Sequence, residues 1–207
     1  MTFKFDKVFV VNLDRRIDRL THINEELSKL GWTSERFPAF DGTTLDSKPG
    51  KPPVKGWTTI SMGNYGNVLS QRAIIQLAKE QGLDSILILE DDAEFDSKEK
   101  IEGFLELVPR NWDMLYFGGN HQQPLVPIND KMGRCQFTLT AHAVGIKHTM
   151  YDHILHVTSD KSLPIDLYYA QFHRLYNVYC PLEKLSWQIN GYSDIEEKEV
   201  DYSTILR

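Results

Sequence analysis

Cysteine is scarce in this chain, long apolar runs are missing, and positive charge is in the minority. Two cysteines in 207 residues, Cys135 and Cys180, stand far apart and in no metal-ligand spacing. No disulfide framework or zinc staple is expected, and a chain this long buries roughly 70% of its unfolded surface without one. No apolar stretch approaches the ~18 residues that cross a membrane. With 23 Lys and Arg against 29 Asp and Glu, the net charge is −6. That balance leaves no basic face for general nucleic-acid binding, although it permits a local basic pocket. Internal repeats and low-complexity tracts are absent too. The opening stretch MTFKFDKVFVVNLDRR holds too short an apolar run, and no small-residue cleavage site, for a secretory signal. The expectation is a cytoplasmic protein with reduced thiols.

What is present alternates. KVFVVNL (7–13) is a β-branched run and predicts a buried strand. Ile17, Leu20, Ile23, Leu27 and Leu30 recur at helical spacing, with Gly31 as the stop. Residues 41–60 are rich in Pro, Gly and Lys and predict a long loop. A helix over 67–82 and a strand over 85–90 follow, then a short helix (100–109) and a strand (113–119). Helices over 149–157 and 166–174 and a strand over 175–180 complete the series. Alternating strands and helices are the pattern of an α/β domain. Strands apolar on both faces mark a central, mostly parallel sheet.

One stretch resists a purely structural reading. SILILEDDAEFD (85–96) runs apolar residues straight into Glu90, Asp91 and Asp92, with Glu94 and Asp96 behind them. Adjacent carboxylates repel, so this is either a solvated strand end or the seat of something positive. In open α/β sheets, ligands bind beyond the carboxyl ends of the strands. Asn12, Asp14, Arg15 and Arg16 follow the first strand; Gly118, Gly119, Asn120 and His121 follow a later one. Three polar clusters are thus expected along one sheet edge. Arginines can neutralise phosphates through charge-assisted bonds. Glu90 and Asp92 point the same way in an extended chain and can meet one cation. Carboxylate oxygens suit Mg2+ or Mn2+. Together these parts describe a nucleotide-diphosphate site, in which the ion would stabilise charge on a leaving diphosphate.

The order of motifs goes further. The series is VFVVNLDRRIDRL, RFPAFDG (36–42), GNYGNVLSQRAIIQ (63–76), ILILEDDAEF (86–95), WDMLYFGG (112–119), TAHAVGIKH (140–148), PIDLYY (164–169) and WQINGYSDIE (187–196). Taken together over nearly the whole chain, it resembles glycosyltransferase family 25, which includes lipooligosaccharide and collagen galactosyltransferases. The resemblance implies a GT-A-type, Rossmann-like sheet flanked by helices. It implies a UDP-sugar donor carrying a hexose (galactose or glucose), a Mn2+ or Mg2+ ion, and inversion at the anomeric carbon. The acceptor it implies is a glycan of the lipooligosaccharide type or a protein hydroxyl, with peripheral membrane contact left open. The chain then reads as one domain, 1–207, with a nucleotide-sugar part over about 1–120 and an acceptor-side part over about 121–207. Carried onto this sequence, the motifs place Asn12, Asp14, Arg15, Arg16, Asp41, Ser70, Asp91, His142 and Gln188 on the donor, and Glu90 and Asp92 on the metal. Gln71 stands where the family usually has His.

Inverting transfer also needs a base for the acceptor hydroxyl. Glu90 and Asp92 cannot serve while they hold the ion. Asp166, after Pro164 at a helix start and inside a family motif, is the first candidate; Asp194 is the second. Each assignment has a plainer counterpart. Asp14 can cap the first helix, Asp41 before Gly42 makes a ready turn, and Asp166 suits the dipole of a helix start. His142 sits in an apolar stretch and can be a core histidine, while Tyr65 and Trp57 can pack as readily as stack on a ligand. A receiver-like phosphoacceptor would carry its acids after the first strand, and a phosphohydrolase would show Asp-x-Asp rather than Glu-Asp-Asp. A non-catalytic sugar-nucleotide or glycan-binding module of the same fold is the remaining alternative.

Overall fold

The computed structural model describes residues 3–53, 55–56 and 58–202. In chain order the first half contains β1 (Lys7–Asn12), α1 (Ile17–Leu30), β2 (Glu35–Pro38), α2 (Met62–Glu80), β3 (Ser85–Glu90), β4 (Ala93–Phe95), α3 (Lys98–Leu105) and β5 (Met114–Tyr116). The second half contains β6 (Asn120–Gln123), β7 (Val126–Pro127), β8 (Met132–Arg134), β9 (Phe137–Leu139), β10 (Ala143–Lys147), α4 (His148–Val157), α5 (Ile165–Ala170), β11 (Val178–Pro181), β12 (Ser186–Gln188), β13 (Gly191–Ser193) and β14 (Lys198–Val200). An eight-stranded sheet in the order β2-β1-β3-β10-β5-β11-β8-β7 forms the centre. Only β10 and β8 run against the other strands, so the sheet is mostly parallel in direction.

Period-two alternation divides the core into two layers. Phe9, Val11, Ile86, Ile88, Val144 and Ile146 face α2, α4 and α5, whose Val68, Ile74, Met150 and Tyr168 close that layer. Val10, Leu87, Leu89 and Leu115 face the other way, onto Ile23 and Leu27 of α1 and Ile101 and Phe104 of α3. The α1 stop is as expected. Gly31 takes the left-handed conformation (φ 70°), and the Gly31 and Trp32 amides bond back to Ser28 and Leu27.

Several boundaries differ from the periodicity. The helix expected over 67–82 starts at Met62, because Ser61 caps it by accepting from the Asn64 amide at 3.1 Å. The glycine-rich GNYG is therefore helical rather than a loop. Its glycines are there for proximity: a Cβ on Gly66 would collide with the Phe40 carbonyl and lie 2.9 Å from the Gly42 amide nitrogen. Gly66→Ala should therefore destabilise the fold by about 1–3 kcal/mol, the usual cost of overpacking. Urea unfolding checks this, and an unchanged midpoint would show that the 40–42 segment yields freely. The last predicted helix shortens to Ile165–Ala170, and the final predicted strand shifts to Val178–Pro181.

The consequence for function is one of position. β1, β3 and β5 point the same way, so their carboxyl ends share one sheet edge. β10 lies between β3 and β5, and its antiparallel course does not disturb that shared edge.

Candidate functional site

A cavity of about 520 Å³ opens at this edge. Its walls come from the chain after β1 (Leu13, Arg15), α1 (Arg19), the turn at 40–43, α2 (Asn67, Ser70), the end of β3 (Glu90, Asp91, Asp92), the start of α5 (Asp166) and the hairpin β13–β14. Tyr202 also lies on the wall, and burial pushes its hydroxyl pKa up to about 12.

The acidic cluster is buried, not solvated: Asp91 is 7% exposed and Asp92 is 4% exposed. Asn12 donates to Asp91 at 2.7 Å. Gln188 Nε2 lies 3.3 Å from Glu90 and 3.2 and 3.3 Å from the two oxygens of Asp92. One amide nitrogen within reach of both carboxylates shows that Glu90 and Asp92 converge on a common point. The positive group already there is Arg19, which bonds Asp91 at 3.1 Å, Asp92 at 3.0 Å and the Tyr192 carbonyl at 2.8 Å.

One guanidinium does not balance three carboxylates. Burial first, and then the Asp92 carboxylate, drives the Glu90 carboxyl well above its usual range. Burial and Asp92 likewise lift Asp91 to about 6, outweighing the pull of Asn12 and Arg19. On Arg19 itself, burial is outweighed by Asp92 and Asp91, and its pKa rises. Three carboxyl groups are thus crowded together with less positive charge than they need, so the cluster favours a proton or a cation.

Arg15, Asp41, Ser70, Glu90, Asp91, Asp92, Asp166, Gln188 and Asp194 all line the cavity. Asn12, Asp14, Arg16 and His142 do not. Asn12 is buried behind the wall, and its Oδ1 accepts from Arg36 at 2.8 Å. Asp14 pairs outward with Arg36, and the helix cap falls on Arg16 instead of Asp14. Arg16 is held by Asp18 and Asp194 and reaches the Tyr192 carbonyl at 3.4 Å. His142 is a buried core side chain whose ring nitrogens find no hydrogen bond of normal geometry. Burial takes its pKa down to about 4. Asp41 makes the expected turn, accepting from the Thr43 amide at 3.0 Å, and also pairs with Arg15. Ser70 Oγ accepts from the Phe40 amide at 2.9 Å and donates to the Gly66 carbonyl at 2.7 Å. Tyr65 is buried and bonds Ser47 at 3.1 Å, away from the cavity wall. Trp57 lies outside the described residues. Asn120 reaches the wall, while His121 turns to Thr138 at 2.9 Å.

The two candidate bases differ in setting. Asp166 accepts from the Thr140 amide at 3.2 Å and the Leu167 amide at 2.8 Å, and burial raises its pKa. Asp194 is clamped by Arg15 at 2.8 Å and by Arg16. Both of its carboxylate oxygens are thus already engaged by guanidinium groups, which leaves it poorly placed to take a proton from an acceptor. Arg19 is the site residue that sequence reasoning misses. Its signal is its place: Arg19 lies in the first turn of α1, three residues after the capping Arg16 and close behind the polar turn that follows β1.

A mostly parallel α/β sheet with a charged cavity at its carboxyl edge defines a ligand site of the open-sheet class. The fold is similar to the crystal structure of a glycosyltransferase involved in the glycosylation of the major capsid of PBCV-1. That match has a TM-score of 0.53 and 11% identity, over 92% of this chain and 95% of the other. It is also similar to A197 from STIV, with a TM-score of 0.50 and 12% identity over 93% of this chain and 91% of the other. At such identities the likeness is one of fold. The family described as Glycosyltransferase family 25 (LPS biosynthesis protein) matches residues 5–144, and the chain belongs to that family. It is 30% identical over 135 residues to the probable inactive glycosyltransferase 25 family member 3 of Bos taurus. It is 30% identical over 130 residues to a glycosyltransferase 25 family member of Anopheles gambiae. The matches take in 58% and 56% of this chain but only 23% and 22% of those relatives.

Proposed function

We propose that the cavity binds the diphosphate of a UDP-sugar together with one Mn2+ or Mg2+ ion. The chain would move a hexose, galactose or glucose, to a hydroxyl acceptor with inversion. The observation that carries this reading is the crowding of the Glu90, Asp91 and Asp92 carboxyl groups, with Glu90 and Asp92 converging on one point, on a wall shared with Arg15 and Arg19.

The residues fit a hard divalent ion. Their donors are oxygens, Glu90 and Asp92 converge, and burial makes the Glu90 carboxylate costly without a cation beside it. Among the described residues, no three His, Cys, Asp or Glu side chains are grouped to hold an ion alone. Two carboxylates completed by phosphate and water oxygens match the habit of such ions. The bound ion would supply Lewis-acid stabilisation of charge on the departing diphosphate.

The chain's own groups divide the remaining work. Arg15 grips the diphosphate, exchanging its present carboxylate partners for phosphate oxygens. Arg19 bonds Asp91 and Asp92 together and holds their carboxyl groups side by side. Asp166 takes the proton of the acceptor hydroxyl as its oxygen bonds to the anomeric carbon and the bond to the diphosphate breaks; a pKa raised by burial makes it the better base. Asn12, Arg16 and His142 support the wall from behind, and Asp14 pairs outward with Arg36, all without contact to the donor. Asp194 serves as the counter-ion of Arg15 and Arg16. The acceptor is a lipooligosaccharide-type glycan or a protein hydroxyl, met in the cytoplasm. No helix among the described residues is long and apolar enough to cross a membrane, so contact with a lipid-borne acceptor would be peripheral.

Arg15→Ala should weaken UDP and UDP-sugar alike by about 10–150-fold, the equivalent of ~1.5–3 kcal/mol for one charge-assisted bond, with free uridine little affected. Titration calorimetry of the three ligands checks it. Equal losses for uridine would move Arg15 from phosphate contact to a structural role.

A second reading has a specific support: the bovine and human relatives are named inactive. On that reading the domain binds a sugar nucleotide or glycan without turnover. Slow hydrolysis of UDP-sugars with Mn2+, which needs no acceptor, separates the two. Release of hexose from UDP-galactose or UDP-glucose supports the transferase, and binding without release supports the module.

A further inference from the structure

A line of hydrogen bonds runs from the core to Glu90. The Tyr169 hydroxyl, fully buried on α5, donates to Gln71 Oε1 at 2.6 Å. Gln71, fully buried on α2, donates from Nε2 to Asn67 Oδ1 at 3.2 Å. Asn67, one helical turn earlier, donates from Nδ2 to Glu90 Oε1 at 2.9 Å. Of the four, only Asn67 and Glu90 reach the cavity wall.

The direction of this line is fixed by its last member. A carboxylate that holds a cation is ionised and only accepts, so with the ion in place Asn67 turns its amide nitrogen to Glu90 and its oxygen to Gln71. Gln71 must then offer its own nitrogen, which leaves its oxygen for the Tyr169 hydroxyl. With Glu90 ionised, turning either amide over would set oxygen against oxygen or nitrogen against nitrogen. Such a chain in apolar surroundings polarises along its length and holds its end acceptor in one orientation. Gln71 and Tyr169 are fully buried behind the wall, where apolar side chains would pack without a desolvation cost. Polar side chains there are costly unless bonded, and the line supplies those bonds and carries them to Glu90.

We propose that Tyr169, Gln71 and Asn67 are a positioning relay that fixes the Glu90 carboxylate for the divalent ion. The proposal rests on the reading of Glu90 and Asp92 as that ion's ligands. Gln71 is the middle link, the side chain that both accepts and donates. Glu90 accepts from Asn67 with one lone pair and keeps others for the ion, while Gln188 steadies its second oxygen. Groups behind a ligand commonly set metal affinity by 10–100-fold.

The test is Mn2+ affinity, read from the electron paramagnetic resonance of free Mn2+, in the parent, Tyr169→Phe, Gln71→Met and the double variant, each with a thermal melt. Gln71→Met should bind Mn2+ about 10–100-fold more weakly, and Tyr169→Phe a few-fold more weakly. The double variant should be no worse than Gln71→Met, because Tyr169 acts through Gln71. Tyr169→Phe removes one oxygen only and keeps the test valid should Gln71→Met fold poorly. Unchanged Mn2+ affinity in variants of a parent that binds overturns the relay alone. A further loss from Tyr169→Phe in the Gln71→Met background also overturns it. A parent that binds no Mn2+ overturns the ion reading, and the relay's purpose with it.

Discussion

Asp92→Asn should abolish metal-dependent nucleotide binding and leave the fold standing. In the parent, UDP with Mn2+ at a hundredfold excess over Kd should add about 2.7 kcal/mol of stability. For a chain of this length that is roughly 5–10 °C in Tm. In Asp92→Asn the shift should fall to that of UDP with EDTA. The amide keeps the shape of the side chain but not the charge that would hold the ion. Arg19 retains Asp91 and the Tyr192 carbonyl as partners. Glu90 and Asp91 both lose a carboxylate that pushes their pKa values up. Relief of that repulsion should keep the unliganded Tm level or raise it. Intact Mn2+ dependence in the variant would reduce the cluster to a buried structural network satisfied by Arg19, Asn12 and Gln188.

Asp166→Asn should separate chemistry from binding. Turnover should fall by about 10²–10⁴-fold, the usual size of a lost general base. UDP affinity and its Mn2+ dependence should stay at the parent level, because Asp166 belongs to neither the proposed diphosphate grip nor the ion's ligands. The substitution also disturbs one of two backbone contacts. The carboxylate accepts from both the Thr140 and Leu167 amides, and an amide side chain offers only one oxygen. A stability loss of about 1–3 kcal/mol is therefore expected alongside. Rates per folded enzyme, measured with UDP affinity on the same samples, keep the two effects apart. A turnover loss under tenfold would place the proton acceptor elsewhere.

Much of this site is legible in the sequence, for reasons that are local. β1 and β3 announce themselves as β-branched and aliphatic runs, and α1 by its stripe and Gly31. The rule that open sheets bind ligands at strand carboxyl ends then brings Arg15 and the Glu90–Asp92 cluster together from sequence alone. What stays hidden depends on tertiary pairing. AVGIK in β10 reads the same whichever way the strand runs, so its antiparallel insertion between β3 and β5 leaves no trace in composition. The three-residue strands β12, β13 and β14 are too short for a periodic signal, yet the hairpin β13–β14 closes one wall of the cavity. Asp194 changes meaning for the same reason. In sequence it is an acid in a loop, and only the fold of that hairpin places it between Arg15 and Arg16. Arg19 escapes notice because Arg15 and Arg16 already meet the need for a cation, whereas the helix carries the next arginine one turn further, onto the acids.

The central claim is that the acidic strand end exists for a cation and a diphosphate. Titration calorimetry of UDP into the parent protein, once with Mn2+ and once with EDTA, tests it most directly, with ADP as the control nucleotide. The expected result is clear UDP binding with Mn2+, much weaker binding with EDTA, and weaker binding of ADP. UDP affinity that is the same in EDTA, or ADP binding as tightly as UDP, would contradict it.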